Sequence, residues 1–332
     1  MPSTKKIIKA VAGYTFKHLL SINVFRGLKI IIMYHRVCGR IPEGLHDPAM
    51  FVTADAFDMH LQELKQYFDI VSLERAIESP GEKERLCVIT FDDGWADNYE
   101  HAFPVLKKHN VPATVFIPVE EIGSKSGYWF QNIWDLASQV STNGKSAGFL
   151  HYFSEHAPSW HPQGIGQEQI VGLICELKSL PAEKLDDIIL KAYGDLGIKR
   201  PTDQQVMTWE QIRAMGQQGI TFGSHGLHHY ILPQLNHGVK RQEVIDSLQV
   251  LERANVAISP FFSYPNGNWD DQTQSLVKEA GYKGAVTTQL GHNHSLTSPY
   301  LLKRIAMHDE ISNTASLLWF RILQAAISRD AH

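Results

Sequence analysis

Short apolar runs rich in β-branched residues alternate along this chain with segments of helical periodicity. Six runs have the character of strands, and they are LKIIIMY (28–34), LCVITF (86–91), ATVFIP (113–118), GITFGS (219–224), PFFSYP (260–265) and GAVTT (284–288). Helical patterns fall between them, at about 54–68, 96–109, 208–217, 238–254 and 271–281. Strands interleaved with helices predict an α/β fold with a largely parallel sheet, either closed into a barrel or open and doubly wound. In both arrangements, functional side chains gather at the carboxyl ends of the strands.

One long segment, residues 128–205, departs from this alternation. It begins with the aromatic-rich YWFQNIWDL and continues with charged helical stretches such as EKLDDIILKAYGDL. We interpret it as a helical insertion between two core strands that could act as a lid. The expected organisation is an amphipathic segment at 1–27, one domain at 28–310 that contains the insertion, and a C-terminal helix at 311–332.

The charge balance argues against a polyanion as partner. The 332 residues include 31 basic and 35 acidic side chains, a net charge of −4, so no nucleic-acid partner is expected. The three cysteines, Cys38, Cys87 and Cys175, are odd in number and widely spaced, which favours reduced structural residues over disulfides or a zinc knuckle. The 17 histidines, several of them clustered, instead favour a metal site.

The N-terminal region combines lysines with apolar residues at helical spacing. Lys9, Lys17 and Arg26 interrupt the apolar run and no small-residue cleavage site is evident, so a cleaved signal peptide is not expected. Residues 5–20 are predicted to form a basic amphipathic helix, which either rests on a membrane surface or packs against the protein's own domain. We expect a cytoplasmic protein, peripheral to the membrane in the first case. Nothing in the sequence indicates an oligomeric state.

Two adjacent aspartates end the second strand-like run. In VITFDDGWADNYE (88–100), Asp92 and Asp93 precede a glycine. A helix start is one explanation, since Asp is a common N-cap and Gly a common turn residue. The alternative is chemical: neighbouring residues of an extended chain point to opposite sides, so one carboxylate can bind a metal while the other faces a water molecule. A metal ion would offset the repulsion between the two charges.

Two histidines in SHGLHHYIL (224–232) have the spacing of a metal-binding pair. His225 and His229 are four residues apart, which presents both imidazoles on one face of a turn or helix. His228 is less suitable, because it adjoins His229 and lies three residues from His225. One carboxylate with two imidazoles leaves coordination positions open for water, as in catalytic zinc sites. Zn²⁺ is the expected ion, and Co²⁺ or Ni²⁺ would also suit these ligands.

Three motifs, in this order, resemble the metal-dependent polysaccharide deacetylases, also called the NodB-homology family or carbohydrate esterase family 4. They are TFDDG (90–94), SHGLHHYIL (224–232) and FSYPNG (262–267), and the neighbouring PVLKKHNVPATVFI and MTWEQIRAMGQQGITFGSH are also similar to that family. The resemblance covers roughly residues 29–310. It implies a distorted (β/α) barrel and hydrolytic removal of N-acetyl, sometimes O-acetyl, groups from sugars. It also implies that Asp92 is the general base and that Asp93, His225 and His229 hold the metal.

The chain departs from the family pattern at one position of the site. Ser263 in FSYPNG occupies the place of the arginine that normally orients the base carboxylate. Arg304 in LLKRIAMHD is our candidate for its replacement, and a surface arginine is the alternative. The backbone N–H of Asn266 aligns with the family's oxyanion donor, which suits a developing tetrahedral oxyanion.

The family's last motif, an apolar pattern that ends in the general-acid histidine, is missing near the C-terminus in its usual form. A matching IIMYH (31–35), part of which lies in YHRV (34–37), occurs near the N-terminus instead. This arrangement is similar to a subgroup that deacetylates exopolysaccharides and looks permuted, with the acid on the first strand. First and last strands are neighbours in a closed barrel, so the move preserves the site. We favour His35 as the acid, and His308 in AMHD is the rival.

The leading hypothesis is a metal-dependent hydrolase that deacetylates an N-acetylated sugar in a poly- or oligosaccharide or a glycolipid precursor. The second hypothesis is a hydrolase that uses the same site on an O-acetyl sugar or a non-sugar amide. A non-catalytic carbohydrate-binding module is the third, motivated by Ser263 and the displaced acid histidine. In the insertion, Trp129, Phe130 and Trp134 form either an aromatic platform for sugars or part of the insertion's core.

Overall fold

A computed structural model describes residues 4–21, 27–79, 84–203 and 205–328. Parts of the predicted terminal segments, residues 1–3, 22–26 and 329–332, lie outside the described residues. The chain divides into two compact units. The barrel unit comprises Met1–Arg40, Ala49–Ile122 and Met207–His332, and the helical unit comprises Ile41–Pro48 and Gly123–Val206. The domain bounds expected from the sequence stay predictions.

The barrel unit contains a closed parallel sheet. In chain order the strands are β1 (Lys29–Tyr34), β2 (Arg36–Cys38), β3 (Phe51–Thr53), β4 (Asp69–Ile70), β5 (Leu86–Phe91), β6 (Ala113–Ile117), β7 (Ile220–Ser224), β8 (Ile258–Ser263), β9 (Gly284–Leu290) and β10 (Leu302–Ala306). Neighbours run in the order β1-β10-β9-β8-β7-β6-β5, and β5 pairs with β1 to close the ring. Strand β4 pairs with the start of β5, and β2 pairs with β3 in a separate ribbon. The predicted (β/α) barrel is confirmed.

Burial explains why the predicted strands are continuously apolar. Every residue of β1 and of β5 is buried, as expected for parallel strands that are covered on both faces. Four strands escaped prediction: β2, β3 and β4 have only two or three residues, and β10 (LKRIA) contains two basic residues. The last of these matters most, because β10 joins β1 to β9 and carries Arg304.

Helices follow most barrel strands, and a second set forms the helical unit. In chain order they are α1 (Thr4–Ser21), α2 (Ala54–Leu64), α3 (Leu73–Glu78), α4 (Phe103–His109), α5 (Trp129–Thr142), α6 (Ser146–His156), α7 (Gln167–Leu177), α8 (Ala182–Asp195), α9 (Trp209–Gly216), α10 (His237–Arg253), α11 (Asp271–Glu279), α12 (Asp309–Ser312) and α13 (Ala315–Ile327). The helix predicted at 96–109 opens with a π-helical turn over Asn98–Ala102 before α4. Side-chain caps begin several helices, such as Thr53 at α2 and Asn236 at α10, and each is typically worth about 1 kcal/mol.

Helices α1 and α13 pack on each other. Phe16 of α1 is buried, and its ring centroid lies 6.4 Å from that of Trp319 in α13. Gly13 sits directly against the backbone of Ser316 and Phe320, where a Cβ atom would clash. The glycine therefore permits a close approach of the two helices. Of the two sequence interpretations of residues 5–20, packing against the protein's own unit is confirmed.

The helical unit has a hydrophobic core of its own, formed by α5–α8. Trp134 is fully buried in this core, so for this residue the core alternative is confirmed and the sugar-platform alternative is wrong. Trp129 and Phe130 are partly buried against the same core. Within the described ranges of the whole chain, no helix is both long and apolar enough to cross a bilayer.

Candidate active site

The strand register brings the predicted site residues to one end of the barrel. Tyr34 of β1 lies level with Phe91 of β5, so His35 and Asp92 follow paired strands. The N–H of Asp92 donates to the carbonyl of Tyr34 at 3.0 Å. The N–H of His225, directly after β7, donates to the carbonyl at the end of β6 at 2.9 Å. The carboxyl ends of these strands therefore meet, as expected for parallel barrels.

Asp92 is bound by a buried arginine. Arg304 donates from Nη1 to Asp92 Oδ1 at 2.7 Å and from Nη2 to Asp92 Oδ2 at 2.6 Å. Its Nε donates to the carbonyl of Thr287 at 2.8 Å, which fixes the plane of the guanidinium. Arg304 is fully buried, so the surface alternative is wrong. Ser263 Oγ lies 3.2 Å from Arg304 Nη2 and 3.4 Å from Asp92 Oδ2, so the serine at the family's arginine position contacts both partners.

This pairing keeps Asp92 ionised although it is buried. Burial alone raises the pKa of the carboxyl, because a charge loses its hydration. The charge and hydrogen bonds of Arg304, together with the smaller influences of His225 and His35, hold the pKa of Asp92 below its ordinary value. The bidentate geometry also restricts rotation of the carboxylate. Asp92 is thus an ionised and oriented proton acceptor.

Asp93 differs from Asp92 in backbone and in partners. Asp93 has φ of 72° and Gly94 follows with φ of 67°, so the chain turns here and the expected alternation of two extended residues is wrong. Both carboxylates face His225 Nε2, with Asp93 Oδ1 at 3.6 Å and Asp92 Oδ2 at 4.0 Å. The indole N–H of Trp95 donates to Asp93 Oδ2 at 3.0 Å, while Oδ1 is directed towards imidazole nitrogens. The two aspartates are distinguished by their partners rather than by opposite directions.

His225 is oriented by a backbone carbonyl. Its Nδ1 lies 2.7 Å from the carbonyl oxygen of Ser263, which can only accept, so Nδ1 carries the proton. Nε2 then presents its lone pair on the side of Asp93. Burial lowers the pKa of His225 to about 4. The ring is therefore neutral near pH 7, the form in which histidine binds metals.

The loop that carries His229 is organised by a buried glutamate. Glu243 of α10 accepts through Oε2 from the N–H of Leu227 at 2.9 Å and from the N–H of His228 at 3.1 Å. Its Oε1 lies 2.6 Å from His228 Nδ1, and this hydrogen bond raises the pKa of His228. His228 is thus engaged by Glu243, as its poor spacing for a ligand suggested. His229, with φ of 62°, directs Nε2 to within 3.3 Å of Asp93 Oδ1.

Asp93, His225 and His229 have the donor set of a divalent metal site. One carboxylate oxygen and two imidazole nitrogens lie within 4.8 Å of one another. Burial raises the pKa of Asp93, but His229, His35 and His225 together hold that pKa well below the ordinary value, with His229 contributing most to the lowering. Within the described part of the chain, no other group of His, Cys, Asp or Glu has this arrangement. We refer to these three residues as the metal triad.

The turn after β8 contains the predicted oxyanion donor. Asn266 has φ of 56° and Gly267 has φ of 74°, so two left-handed residues follow each other. Asn adopts this conformation more readily than most residues. Gly267 is required, because a Cβ atom there would collide with the side chain of Thr288. The turn sets Asn266 at the carboxyl end of β8, which is the end of the barrel at which Asp92 and Asp93 follow β5.

The two candidate acids follow neighbouring strands. His35 follows β1 and His308 follows β10, and Met33 lies level with Ala306 in this pair. Burial raises the pKa of Asp92 and of Asp93, and the charge of His35 is among the influences that lower both values. His35 therefore lies within electrostatic range of both aspartates, and the choice of His35 over His308 as the acid stays a prediction.

Side chains next to the predicted motifs connect the end of β1 with the segment that follows Asp92 and Asp93. Arg36 Nε lies 2.6 Å from Asp97 Oδ2, and its guanidinium carbon lies 4.4 Å from the ring centroid of Trp95. Asn98 Nδ2 donates to the carbonyl of His35 at 2.8 Å. The segment that follows Asp92 and Asp93 in sequence thus holds the end of the strand that carries His35.

Sequence reasoning missed the supporting residues Trp95, Asp97 and Glu243. The first two could have been found, because they belong to the same DDGWADN stretch as the aspartates. Glu243 carried no signal, since it lies on α10, well beyond the histidine motif. Its role follows only from the way in which α10 packs beside β7.

The sequence matches the polysaccharide deacetylase family over residues 80–171 and 188–285, more than half of the chain. The metal triad, Asp92 and Asn266 fall within this match, whereas His35 and Arg304 lie outside it. The Bacillus subtilis protein YxkH, which carries a polysaccharide deacetylase designation, is 23% identical over 290 residues, or 86% of this chain and 73% of that protein. The poly-β-1,6-N-acetyl-D-glucosamine N-deacetylase of Staphylococcus epidermidis is 26% identical over 184 residues, or 52% of this chain and 60% of that protein.

A solved structure has the same fold. The Streptococcus pyogenes deacetylase PplD, in complex with acetate, is similar with a TM-score of 0.57 and 20% identity, over 91% of this chain and 99% of that one. At 20% sequence identity, this structural similarity is evidence for a shared fold and for nothing further. The family match rests on the sequence, and it includes the two aspartates and both histidines of the metal triad. This protein therefore belongs to the polysaccharide deacetylase family of hydrolases.

Proposed function

We propose that this deacetylase removes the acetyl group from an N-acetylated sugar in a reaction that depends on one divalent metal ion. The observation that carries the proposal is the unequal pair of carboxylates. Asp92 is bound by Arg304, and Asp93 faces His225 and His229. A carboxylate that an arginine keeps ionised can accept a proton, and a carboxylate beside two imidazoles can bind a metal.

The metal triad would hold the ion, with Zn²⁺ as the expected species and Co²⁺ or Ni²⁺ as substitutes. When bound, such an ion lowers the pKa of a water molecule and polarises the acyl carbonyl. Contacts within the protein preorganise the metal-ligand atoms. Trp95 holds the Oδ2 atom of Asp93, and the carbonyl of Ser263 keeps the proton of His225 on Nδ1. Such supporting contacts orient ligands and raise metal affinity.

The remaining groups supply proton transfer and charge stabilisation. Asp92 accepts the proton of the attacking water, while Arg304 keeps both oxygens of that carboxylate in place. The N–H of Asn266 donates to the carbonyl oxygen as this gains negative charge. His35 donates a proton to the sugar nitrogen as the C–N bond breaks. Water and amide thereby become acetate and an amine.

An N-acetyl group in a poly- or oligosaccharide or its glycolipid precursor is the proposed substrate. Two observations support nitrogen over oxygen. An amine leaves only when it is protonated, and the proposed acid His35 follows β1 at the point where Asp92 follows the paired strand β5. The Staphylococcus epidermidis relative is named for an N-acetylated glucosamine polymer.

The test is to incubate purified protein, reconstituted with Zn²⁺, with N-acetylglucosamine oligomers and to measure acetate and primary amine together. We expect both products in equal amounts, and Asp92→Asn protein prepared in the same way is the control. Acetate from an O-acetylated sugar, with none from the oligomers, would indicate an esterase. Binding of the oligomers without either product would indicate a carbohydrate-binding module.

A further inference from the structure

Helix α1 is unusual in having two apolar faces. One face is buried against the barrel unit, through Gly13, Phe16 and Leu20. A helix that serves only to pack against its own domain carries one apolar stripe, with polar residues on the opposite side. The opposite side of α1 is therefore the feature that needs an explanation.

That opposite side is apolar and exposed. Ile7 is 50% exposed, Ile8 62%, Val11 61% and Tyr14 58%. These positions recur at helical spacing, so the side chains form one continuous stripe. Contiguous apolar surface of this kind marks a contact with a partner or a membrane, whereas scattered exposed residues do not. We call these four residues the exposed stripe.

The charges around the exposed stripe are positive. Lys5 and Lys6 flank its amino-terminal end, and Lys9 lies on the side that faces α13, where its Nζ is 5.9 Å from the ring centroid of Phe320. Helix α1 contains no acidic residue, although the chain carries a net charge of −4. The same lysines line a cleft together with Arg321 of α13 and with Glu310. The first turns of α1 thus carry an excess of basic charge on the flanks of the exposed stripe and in the adjoining cleft, against the balance of the whole protein.

We propose that α1 docks the protein on the surface of an anionic phospholipid bilayer. The exposed stripe would enter the boundary between headgroups and acyl chains, and Tyr14 would lie at headgroup depth. Lys5 and Lys6, on the flanks of the stripe, would contact the lipid phosphates, and Lys9 would add to the attraction at longer range. The positive charge of α1 favours an anionic bilayer over a second copy of this chain as the partner of the exposed stripe. A second copy would bring the same lysines and no α1 carboxylate to the interface. The face packed on α13 stays buried, so docking requires no unfolding.

The test is co-sedimentation of the full chain with vesicles of equal parts phosphatidylcholine and phosphatidylglycerol, at low salt. We expect binding that is weakened by added salt and is absent with pure phosphatidylcholine vesicles, because screening acts on exposed charges. Changing Lys5, Lys6 and Lys9 together to Gln should reduce partition about a hundredfold, at about fivefold for each lysine. Ile8→Ser with Val11→Ser should reduce it about tenfold or more, because apolar area no longer leaves water.

Matched controls separate docking from general effects of charge and apolarity. Lys125, Lys184 and Lys191 are exposed lysines of the helical unit, and their joint change to Gln should leave vesicle binding unchanged. Leu190, 56% exposed, gives the apolar control as Leu190→Ser. Equal binding by the α1 variants and the wild type overturns the proposal. A second outcome also overturns it: the wild type is a dimer in sedimentation equilibrium without lipid, the Ile8 and Val11 changes convert it to a monomer, and these changes leave vesicle binding intact. Thermal unfolding checks that every variant is folded.

Discussion

Replacing Arg304 with methionine should reduce both stability and activity. Arg304 and Asp92 are buried and joined by two short hydrogen bonds, so the change leaves a buried carboxylate without its partner. Breaking a buried ion pair in this way lowers the free energy of unfolding by about 3–5 kcal/mol. The carboxylate also loses its fixed plane, and misplacement of a catalytic group by about 1 Å reduces the rate on the order of a hundredfold. We therefore expect kcat/KM for acetate release to fall by about that factor.

A double variant restores the arginine from the family's usual position. In Arg304→Ser with Ser263→Arg, the two residue types exchange places. Ser263 Oγ lies 3.4 Å from Asp92 Oδ2 and 3.2 Å from Arg304 Nη2, so an arginine at 263 starts beside the same carboxylate, in the volume that Arg304 vacates. The double variant should recover about tenfold of the lost kcat/KM. A merely structural role for Arg304 would not produce this recovery of activity.

The assay measures acetate release and urea unfolding on the same metal-loaded samples. Lys240→Met is the matched control, because Lys240 is a buried cation whose partner, Asp270, lies in another part of the barrel unit. It should lower stability and leave kcat/KM near the wild-type value. Wild-type kcat/KM in fully loaded Arg304→Met protein would refute the assignment of Arg304 as the residue that positions the base.

Three further predictions concern proton transfer and metal binding. Asp92→Asn should retain one ion per chain by elemental analysis and lose activity on the order of a hundredfold or more, whereas Asp93→Asn should itself lower the bound metal well below one per chain. His35→Ala should keep the metal and lose the alkaline limb of the pH profile of kcat/KM. The assignment is contradicted if His35→Ala leaves that alkaline limb unchanged while His308→Ala loses both the activity and the alkaline limb. Glu243→Gln should weaken metal affinity about tenfold, measured by competition with a chelating dye, because the loop with two N–H donors loses its charged acceptor.

The Glu243 prediction has a control on the same helix. Asp246 is exposed on α10, so Asp246→Asn removes one negative charge without touching the histidine loop. It should leave metal affinity unchanged. Equal metal affinity of the Glu243→Gln and wild-type proteins would show that the loop holds His229 without help from Glu243.

Much of the barrel could be predicted from the sequence because its strands are buried on both faces. Continuous apolar runs such as those of β1 and β5 result directly from that burial. Strand β10 escaped because LKRIA carries two basic residues, and one of them, Arg304, is buried only because Asp92 neutralises it. From the sequence alone a charged residue such as Arg304 is predicted to be exposed, because its ion-pair partner Asp92 lies 212 residues away in the chain.

The residues that meet at this end of the barrel could be chosen from the sequence, but the geometry that separates the two aspartates could not be predicted. The sequence pattern predicts extended chain at Asp92 and Asp93, whereas Asp93 has φ of 72°, and positive φ in a non-glycine residue is too uncommon to be expected without knowledge of its contacts. Trp95 supplies such a contact by its hydrogen bond to Asp93. The division of labour between the carboxylates therefore depends on tertiary partners, Arg304 for one and imidazoles for the other, that no local pattern reveals.

Titration of metal-free protein with Zn²⁺, with acetate release from N-acetylglucosamine oligomers measured at each point, is the most direct test of a metal-dependent deacetylase built on the metal triad. Chelated protein should release no acetate, and activity should rise in proportion to bound Zn²⁺ until one ion per chain is present. His225→Ala protein, which lacks one ligand, should show neither occupancy nor activity at the same free Zn²⁺. Full activity in chelated protein, or stoichiometric Zn²⁺ in His225→Ala protein, would contradict it.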